Sequence, residues 1–179
     1  MGNCRESINF AHESSPVPFS QGIGLRGMTH QEYYIQAVKT FNTFLESKRL
    51  RKTSERFAIL KKAWQMDAHF GIDELHAALE KDGYHVSRAT AYNTVDLLVD
   101  CGVLRRHNFA AGEAQYEAAR EGHIHFICTR CGSITEGGDP ALMSGMLHSI
   151  KDGIFRPAYM LAYVYGLCGE CAGHTSAEK

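Results

Sequence analysis

Apolar side chains recur at Tyr34, Val38, Phe41 and Leu45 among polar neighbours, a spacing that winds one buried face onto a helix from His30 to Lys48. A second helix is predicted where Phe57, Leu60 and Trp64 share one side. Thr53 suits its N-cap, and Glu55 falls in the first turn, where negative charge is favourable. A third begins at Ile72, with Asp73 and Glu74 in its first turn, Leu75, Ala78 and Leu79 on its apolar side, and Gly83 past its end. Ser87 caps a fourth, which runs from Arg88 to Val99 and stops at Gly102. Its apolar residues Val95, Leu98 and Val99 gather near its end, while its first turns are polar. Helices two to four describe a helix-turn-helix. The stretches 103–107 and 114–117, joined through Gly112, then read as a two-stranded hairpin, or wing.

Beyond the short polar segment 118–122 the period changes. Strands are predicted at 123–128 and 133–136, a helix from Pro140 to Lys151, and a strand from Tyr159 to Tyr165. The expected fold class is α+β. An N-terminal winged helix-turn-helix unit spans 29–118, a hinge 119–122, and a C-terminal α/β unit 123–171. The second unit has an exposed edge of the kind that pairs with a copy of itself. Residues 1–28, with Ser14, Ser15, Pro16, Pro18 and several glycines, read as a flexible tail, and 172–179 as a second one.

Composition changes this picture little: of 179 residues, 44% are hydrophobic and 22% charged. No apolar run approaches the roughly 18 residues of a membrane span, and the N-terminus has no signal-peptide pattern. The expectation is a cytoplasmic protein without a membrane partner. The net charge of −1 hides an asymmetry. Between Lys48 and Lys62 lie seven basic residues and one acid, whereas from His107 onward five Lys and Arg face eight Asp and Glu. A basic first half carrying a helix-turn-helix points to nucleic acid.

Cysteine placement adds the chemistry. Cys128-x-x-Cys131 and Cys168-x-x-Cys171 are paired thiols, which in a reducing compartment indicate metal rather than disulfide. Together they fit a closed tetrahedral zinc site, which leaves no open position for catalysis. Cys4 reads as an incidental thiol and Cys101 as a small buried residue. His123 and His125 share one face of a strand. His12, His30, His76, His85, His107, His148 and His174 read as surface or capping residues.

These residues carry a family likeness. The chain resembles the ferric uptake regulator family through Arg51-Lys52-Thr53-Ser54-Glu55-Arg56, His69 before Ile72-Asp73-Glu74-Leu75, and Ser87-Arg88-Ala89-Thr90-Ala91-Tyr92. Further matches are Arg106-His107, Tyr116-Glu117, His123-x-His125-x-x-Cys128-x-x-Cys131-Gly132 with Glu136, and Tyr165-Gly166-x-Cys168-x-x-Cys171. The likeness runs from about Phe44 to Cys171. It implies a non-enzymatic transcription regulator, usually a repressor of metal-uptake genes. Such a protein binds double-stranded DNA, at an AT-rich palindromic operator, as a metallated homodimer.

The resemblance also implies roles. His69, Glu117, His123, His125 and Glu136 match the regulatory metal site, and Arg51, Lys52, Arg88, Thr90, Tyr92 and Asn93 match DNA contacts. Tyr92 would pack on thymine methyls; Asn93 stands where Arg is frequent, which shortens the reach. Gly122 and Ile124 occupy places where many iron-responsive members have ligands of a further site. No Cys lies between Gly102 and Ile127, unlike zinc sensors, and Glu117 and Glu136 replace the Asp of peroxide sensors. The expected regulatory ion is therefore Fe(II), ahead of Zn(II) or Mn(II), beside a structural Zn(II). The rival from another class is a zinc-stabilised interaction module, or a metal- or haem-handling one, whose helix-turn-helix is purely structural. The basic run beside the fourth helix, which a metal carrier does not need, separates the two.

Overall fold

The structure, a computed structural model, describes residues 29–66, 69–108, 114–120, 122–150 and 160–173. The expected tail over 1–28, the Gly112 turn, the end of the helix at Lys151 and residues 174–179 lie outside the described residues.

Helix α1 (His30–Ser47) begins at a capping box: the Thr29 hydroxyl accepts from the Glu32 N–H, and the Glu32 carboxylate accepts from the Thr29 N–H at 2.7 Å. Its buried face is Tyr33, Ala37, Phe41, Phe44 and Leu45. The face is thus turned slightly from the predicted one, and Tyr34 and Val38 flank the core rather than fill it. Helix α2 (Ser54–Gln65) starts behind the Thr53 cap, and α3 (Ile72–Lys81) follows after His69 and Phe70. Helix α4 (Arg88–Asp100) has Ser87 as its cap, accepting from the Thr90 N–H at 3.1 Å. It ends where Gly102 adopts φ 75°, a left-handed conformation that favours glycine. It buries Ala91, Thr94, Val95 and Leu98, leaving Val99 half-buried, so its core face begins nearer its start than the apolar pattern suggests.

Strands β1 (Leu104–His107) and β2 (Gln115–Ala118) form the wing, with Arg105 opposite Glu117. Phe41, Leu45, Ile59, Leu60, Trp64, Phe70, Leu75, Leu79, Val95 and Leu98 are fully buried and unite helices and wing in one core. An isolated β-bridge ties the helices to the wing through the backbone as well. Phe70 and Tyr116 exchange both backbone hydrogen bonds, at 3.0 and 2.9 Å. The bridge lays the strip before α3 against β2 and so sets His69 beside Glu117.

The second unit contains β3 (Ile124–Cys128), β4 (Ile134–Gly137), α5 (Pro140–Ser149), β5 (Ala162–Gly166) and α6 (Gly169–Gly173). The sheet order is β4-β3-β5, antiparallel for β3 and β4, parallel for β3 and β5. His125 lies opposite Glu136 on one side and Tyr163 on the other. The strand expected from Tyr159 begins later, at Ala162. The segment read as a hinge is clasped at its start: Ala119 N–H donates to Val103 O at 2.9 Å, and Arg105 Nη2 donates to Arg120 O at 2.8 Å. Arg120 Nη2 in turn donates to Trp64 O at 3.1 Å. No helix among the described residues is long and apolar enough to cross a membrane.

Candidate metal centres and nucleic-acid surface

Cys128 closes β3, Cys131 follows in the turn, Cys168 lies just past β5, and Cys171 sits in α6. Parallel pairing puts Cys128 level with Gly166, so the two Cys-x-x-Cys turns meet at the same end of the sheet. Their ligand atoms all lie within 4.8 Å of one another. The Cys131 and Cys168 sulfurs stand 3.8 Å apart, matching the ~3.8 Å edge of a tetrahedron whose centre-to-sulfur distance is about 2.3 Å. Backbone N–H groups of Cys131 and Cys168 hold the Cys128 thiol down at about 5. The sulfur of Cys168, then burial, pushes Cys171 up to about 12. Four thiols this close cannot all ionise unaided, and a dication resolves the conflict. The donor set and its spacing fit Zn(II). Arg130 adds support from outside, donating from Nη1 to Cys171 O at 2.7 Å.

The second cluster gathers at the junction of the two units. His125 is fully buried and central: its Nε2 lies 2.9 Å from His69 Nε2 and 3.1 Å from His123 Nε2. Glu117 Oε2 lies 3.1 Å from His123 Nε2, 3.4 Å from His69 Nε2 and 3.6 Å from His125 Nε2. Glu136 completes the rim, 3.4 Å from His69 Nδ1 and 3.7 Å from His123 Nε2. Adjacent ligands about a first-row dication with bonds near 2.1 Å are spaced roughly 3.0 Å in octahedral and about 3.4 Å in tetrahedral geometry. Most of these separations fit that range, and the 3.6 and 3.7 Å pairs lie just beyond it. All five residues proposed from the sequence therefore converge, two from the first unit and three from the second.

The electrostatics favour the ligating forms. Burial alone would raise the Glu117 carboxyl, but hydrogen bonds from His107, His123 and His69 together hold it well below the usual carboxylate range. Burial pushes the His125 imidazole down despite the pull of Glu117. One is thus ionised and the other neutral at pH 7, as metal binding requires.

His107, read from the sequence as a surface or capping residue, is a correction. It is fully buried, with Nε2 3.1 Å from Glu117 Oε1 and Nδ1 3.0 Å from the Tyr163 hydroxyl. The physical reason is register: Arg105 and His107 alternate onto one face of β1, and the pairing of Arg105 with Glu117 turns that face toward the cluster. Arg105 is also buried and places Nη1 3.4 Å from Glu117 Oε1. The signal available in the sequence is the two-residue step from Arg105, once its partner is known. Gly122 and Ile124 bring no ligand here. A Cβ on Gly122 would meet the Met143 side chain at 3.2 Å, and Ile124 packs where a Cβ on Gly138 would lie 2.9 Å from it.

In the first unit, the start of α4 is exposed. Tyr92 is 47% accessible and Asn93 is also exposed. Thr90 is half-buried and shares a 2.9 Å hydrogen bond with Ser87. Arg88 forms an exposed 2.7 Å ion pair with Asp73. Lys52 pairs with Glu46 at 2.6 Å, and exposed Arg51 stands next to it. A groove lined by Arg49, Arg51, Arg56, His85, Ser87 and Thr90 runs beside the α4 N-terminus. Its cations suit phosphate.

Comparison with known proteins agrees with this geometry. The ferric uptake regulator family matches residues 47–153. The ferric uptake regulation protein of Escherichia coli K12 is 31% identical over 132 residues, 72% of this chain and 88% of that protein. A peroxide-responsive repressor of Staphylococcus saprophyticus is 29% identical over 131 residues, covering 72% and 87% of the two chains. The solved structure of the Pseudomonas aeruginosa ferric uptake regulator with manganese superposes with a TM-score of 0.57 at 27% identity, over 70% of this chain and 96% of that one. A DNA-binding winged helix, a dimerisation domain and donor clusters at their junction stand together in one chain, which belongs to the ferric uptake regulator family of metal-responsive transcriptional regulators.

Proposed function

We propose that the protein represses metal-homeostasis genes by binding an AT-rich palindromic operator as a homodimer, gated by a divalent cation at His69, Glu117, His123, His125 and Glu136. The observation that carries this reading is the convergence of donors from both domains. His69 and Glu117 belong to the DNA-binding domain, taken as 29–118, and His123, His125 and Glu136 to the dimerisation domain, taken as 123–171. Sharing one cation fixes the angle between the domains across 119–122, and with it the separation of two α4 helices that must enter grooves about 34 Å apart. Donors held apart leave that angle free, so cation and DNA strengthen each other's binding.

Cys128, Cys131, Cys168 and Cys171 hold a permanent Zn(II) that ties β3 to the end of β5. Arg51, Lys52, Arg88, Thr90, Tyr92 and Asn93 form the DNA surface, with Tyr92 and Asn93 facing bases. Exposed Leu142, Met146 and Ile150 around α5, with Val164 and Tyr165 on β5, supply apolar area for the second copy. Five nitrogen and oxygen donors without thiolate favour Fe(II), ahead of Mn(II) and Zn(II), over a closed four-coordinate site. The deciding test starts from protein stripped at the junction but retaining cysteine-bound zinc. Operator affinity should rise at least tenfold with Fe(II). Indifference to Fe(II), Mn(II) and Zn(II) alike would refute metal gating.

A further inference from the structure

The junction contains more donors than one cation needs, and they sort into two overlapping sets. One is His69, His107, Glu117 and His125; the other is Glu117, His123, His125 and Glu136. Within each set the donor atoms lie within 4.8 Å of one another. The first set offers three nitrogens and one oxygen, and its residues range from fully buried to about one-tenth exposed. The second offers two of each, and Glu136 opens it to water with a side chain 42% exposed.

We infer that His107 is a metal ligand and creates a second cation position in the same pocket, exclusive of the first and selective for a different class of ion. His107 is oriented for the role. Its Nδ1 is engaged by the Tyr163 hydroxyl, which leaves Nε2 directed at Glu117 Oε1, 3.1 Å away, a spacing typical of neighbouring ligands. Outer-shell hydrogen bonds of this kind orient ligating imidazoles. Exclusivity follows from His125. Its Nε2 faces both His69 Nε2 and His123 Nε2, and one nitrogen lone pair serves one cation.

Selectivity follows from donor chemistry. A buried set of three imidazoles and one carboxylate suits tetrahedral Zn(II) or Co(II). The oxygen-richer, solvent-open set suits Mn(II) or Fe(II), which retain water as further ligands. The two positions also hold the protein differently. The nitrogen-rich set draws on β1, β2 and the strip before α3, so it grips the DNA-binding domain at three points. The oxygen-rich set grips it at Glu117, with His69, 3.4 Å from Glu136, completing the five-donor site, and leaves β1 unheld. The inference rests on the junction being the regulatory site.

The test is titration of full-length protein, with its cysteine-bound zinc retained, by Co(II), Zn(II) and Mn(II). Wild-type protein should give intense tetrahedral Co(II) d–d bands and bind one cation per protomer at the junction. His107→Asn should weaken Zn(II) and Co(II) at least tenfold and turn the Co(II) bands to the weak five- or six-coordinate form, with Mn(II) affinity changed less than threefold. Glu136→Gln should do the reverse, weakening Mn(II) more than Zn(II). Tyr163→Phe keeps the ring against His125 and should reproduce the His107→Asn pattern in milder form, covering the case in which that variant fails to fold. Equal loss for all three ions in His107→Asn, or unchanged Co(II) bands, would overturn the inference while leaving metal gating intact. Wild-type protein that takes up no cation at the junction would overturn both.

Discussion

The Nε2 atoms of His69 and His125 stand 2.9 Å apart although fifty-six residues separate them in the chain. One belongs to the strip that the Phe70–Tyr116 bridge fastens to the wing, the other to the central strand of the dimerisation domain. Two neutral imidazoles gain one hydrogen bond at that distance, but two lone pairs aimed at a cation gain far more. His69→Ala should therefore weaken cation binding at the junction at least tenfold and abolish the metal response of DNA binding. Zinc content at the cysteines should stay at one per protomer. Equilibrium dialysis and elemental analysis on the same sample check both.

The cysteine site makes a separate demand. Structural zinc contributes roughly 10 kcal/mol or more of apparent folding energy in small domains. Cys131→Ser should cost one zinc per protomer and leave monomers, because α6 and the end of β5 lose their tie to β3. Sedimentation velocity reads the change. A variant that stays dimeric without zinc would show that the sheet alone holds the domain.

Arg88 is exposed and bound to Asp73 on α3, an ion pair worth about 0–1 kcal/mol. That pair is weak enough for a DNA phosphate to displace. Arg88→Ala should reduce affinity for all DNA sequences alike and lower the slope of log affinity against log salt by about 1. Asp73→Asn should raise affinity a few-fold, since it removes both the competitor and a negative charge near the duplex. An unchanged salt slope in the first variant would take Arg88 off the backbone.

Acid should loosen the junction. Burial holds His125 below the ordinary 6.5, and the net pull of its imidazole neighbours holds Glu117 below 4.5 despite burial. Both bind more protons unfolded than folded, so stability rises with pH. The contribution is present above the unfolded values and is lost as pH falls below about 6.5 for His125, then below 4.5 for Glu117. Protein chelated at the junction should melt at a lower temperature at pH 5.5 than at pH 7.5, a difference that His125→Leu should shrink.

Cys101 is buried at the end of α4, and burial drives its thiol up to about 12. It should resist alkylation at pH 8 for as long as the DNA-binding domain stays folded. Mass spectrometry after iodoacetamide should find it unmodified in native protein and modified in denaturant. Rapid native labelling would mean that α4 opens locally.

These residues also show what a sequence makes legible. Cys-x-x-Cys and His-x-His are local patterns, so spacing alone conveys their chemistry. His69 and Glu117 are single residues far from those patterns, and it took the family resemblance to recruit them. His107 stayed hidden because its orientation depends on which β2 residue faces Arg105, a non-local fact. The face of α1 is offset toward Tyr33 and Ala37 because tertiary packing selects among several apolar residues that helical spacing leaves equivalent. Arg88 can be read as a DNA contact, but its pairing with Asp73 depends on how α3 and α4 cross.

The parallel pairing of β3 with β5 carries a consequence for synthesis. Cys131 and Cys168 are separated by thirty-seven residues, and β3 has no partner on that side until β5 has been made. Domains fold as units, the N-terminal one first, as the chain emerges. The winged helix can thus complete its core on the ribosome, while the zinc-tied half waits for the last strand. A nascent chain would bear a finished DNA-reading surface before it could dimerise, and would meet DNA with the contacts of one half-site only.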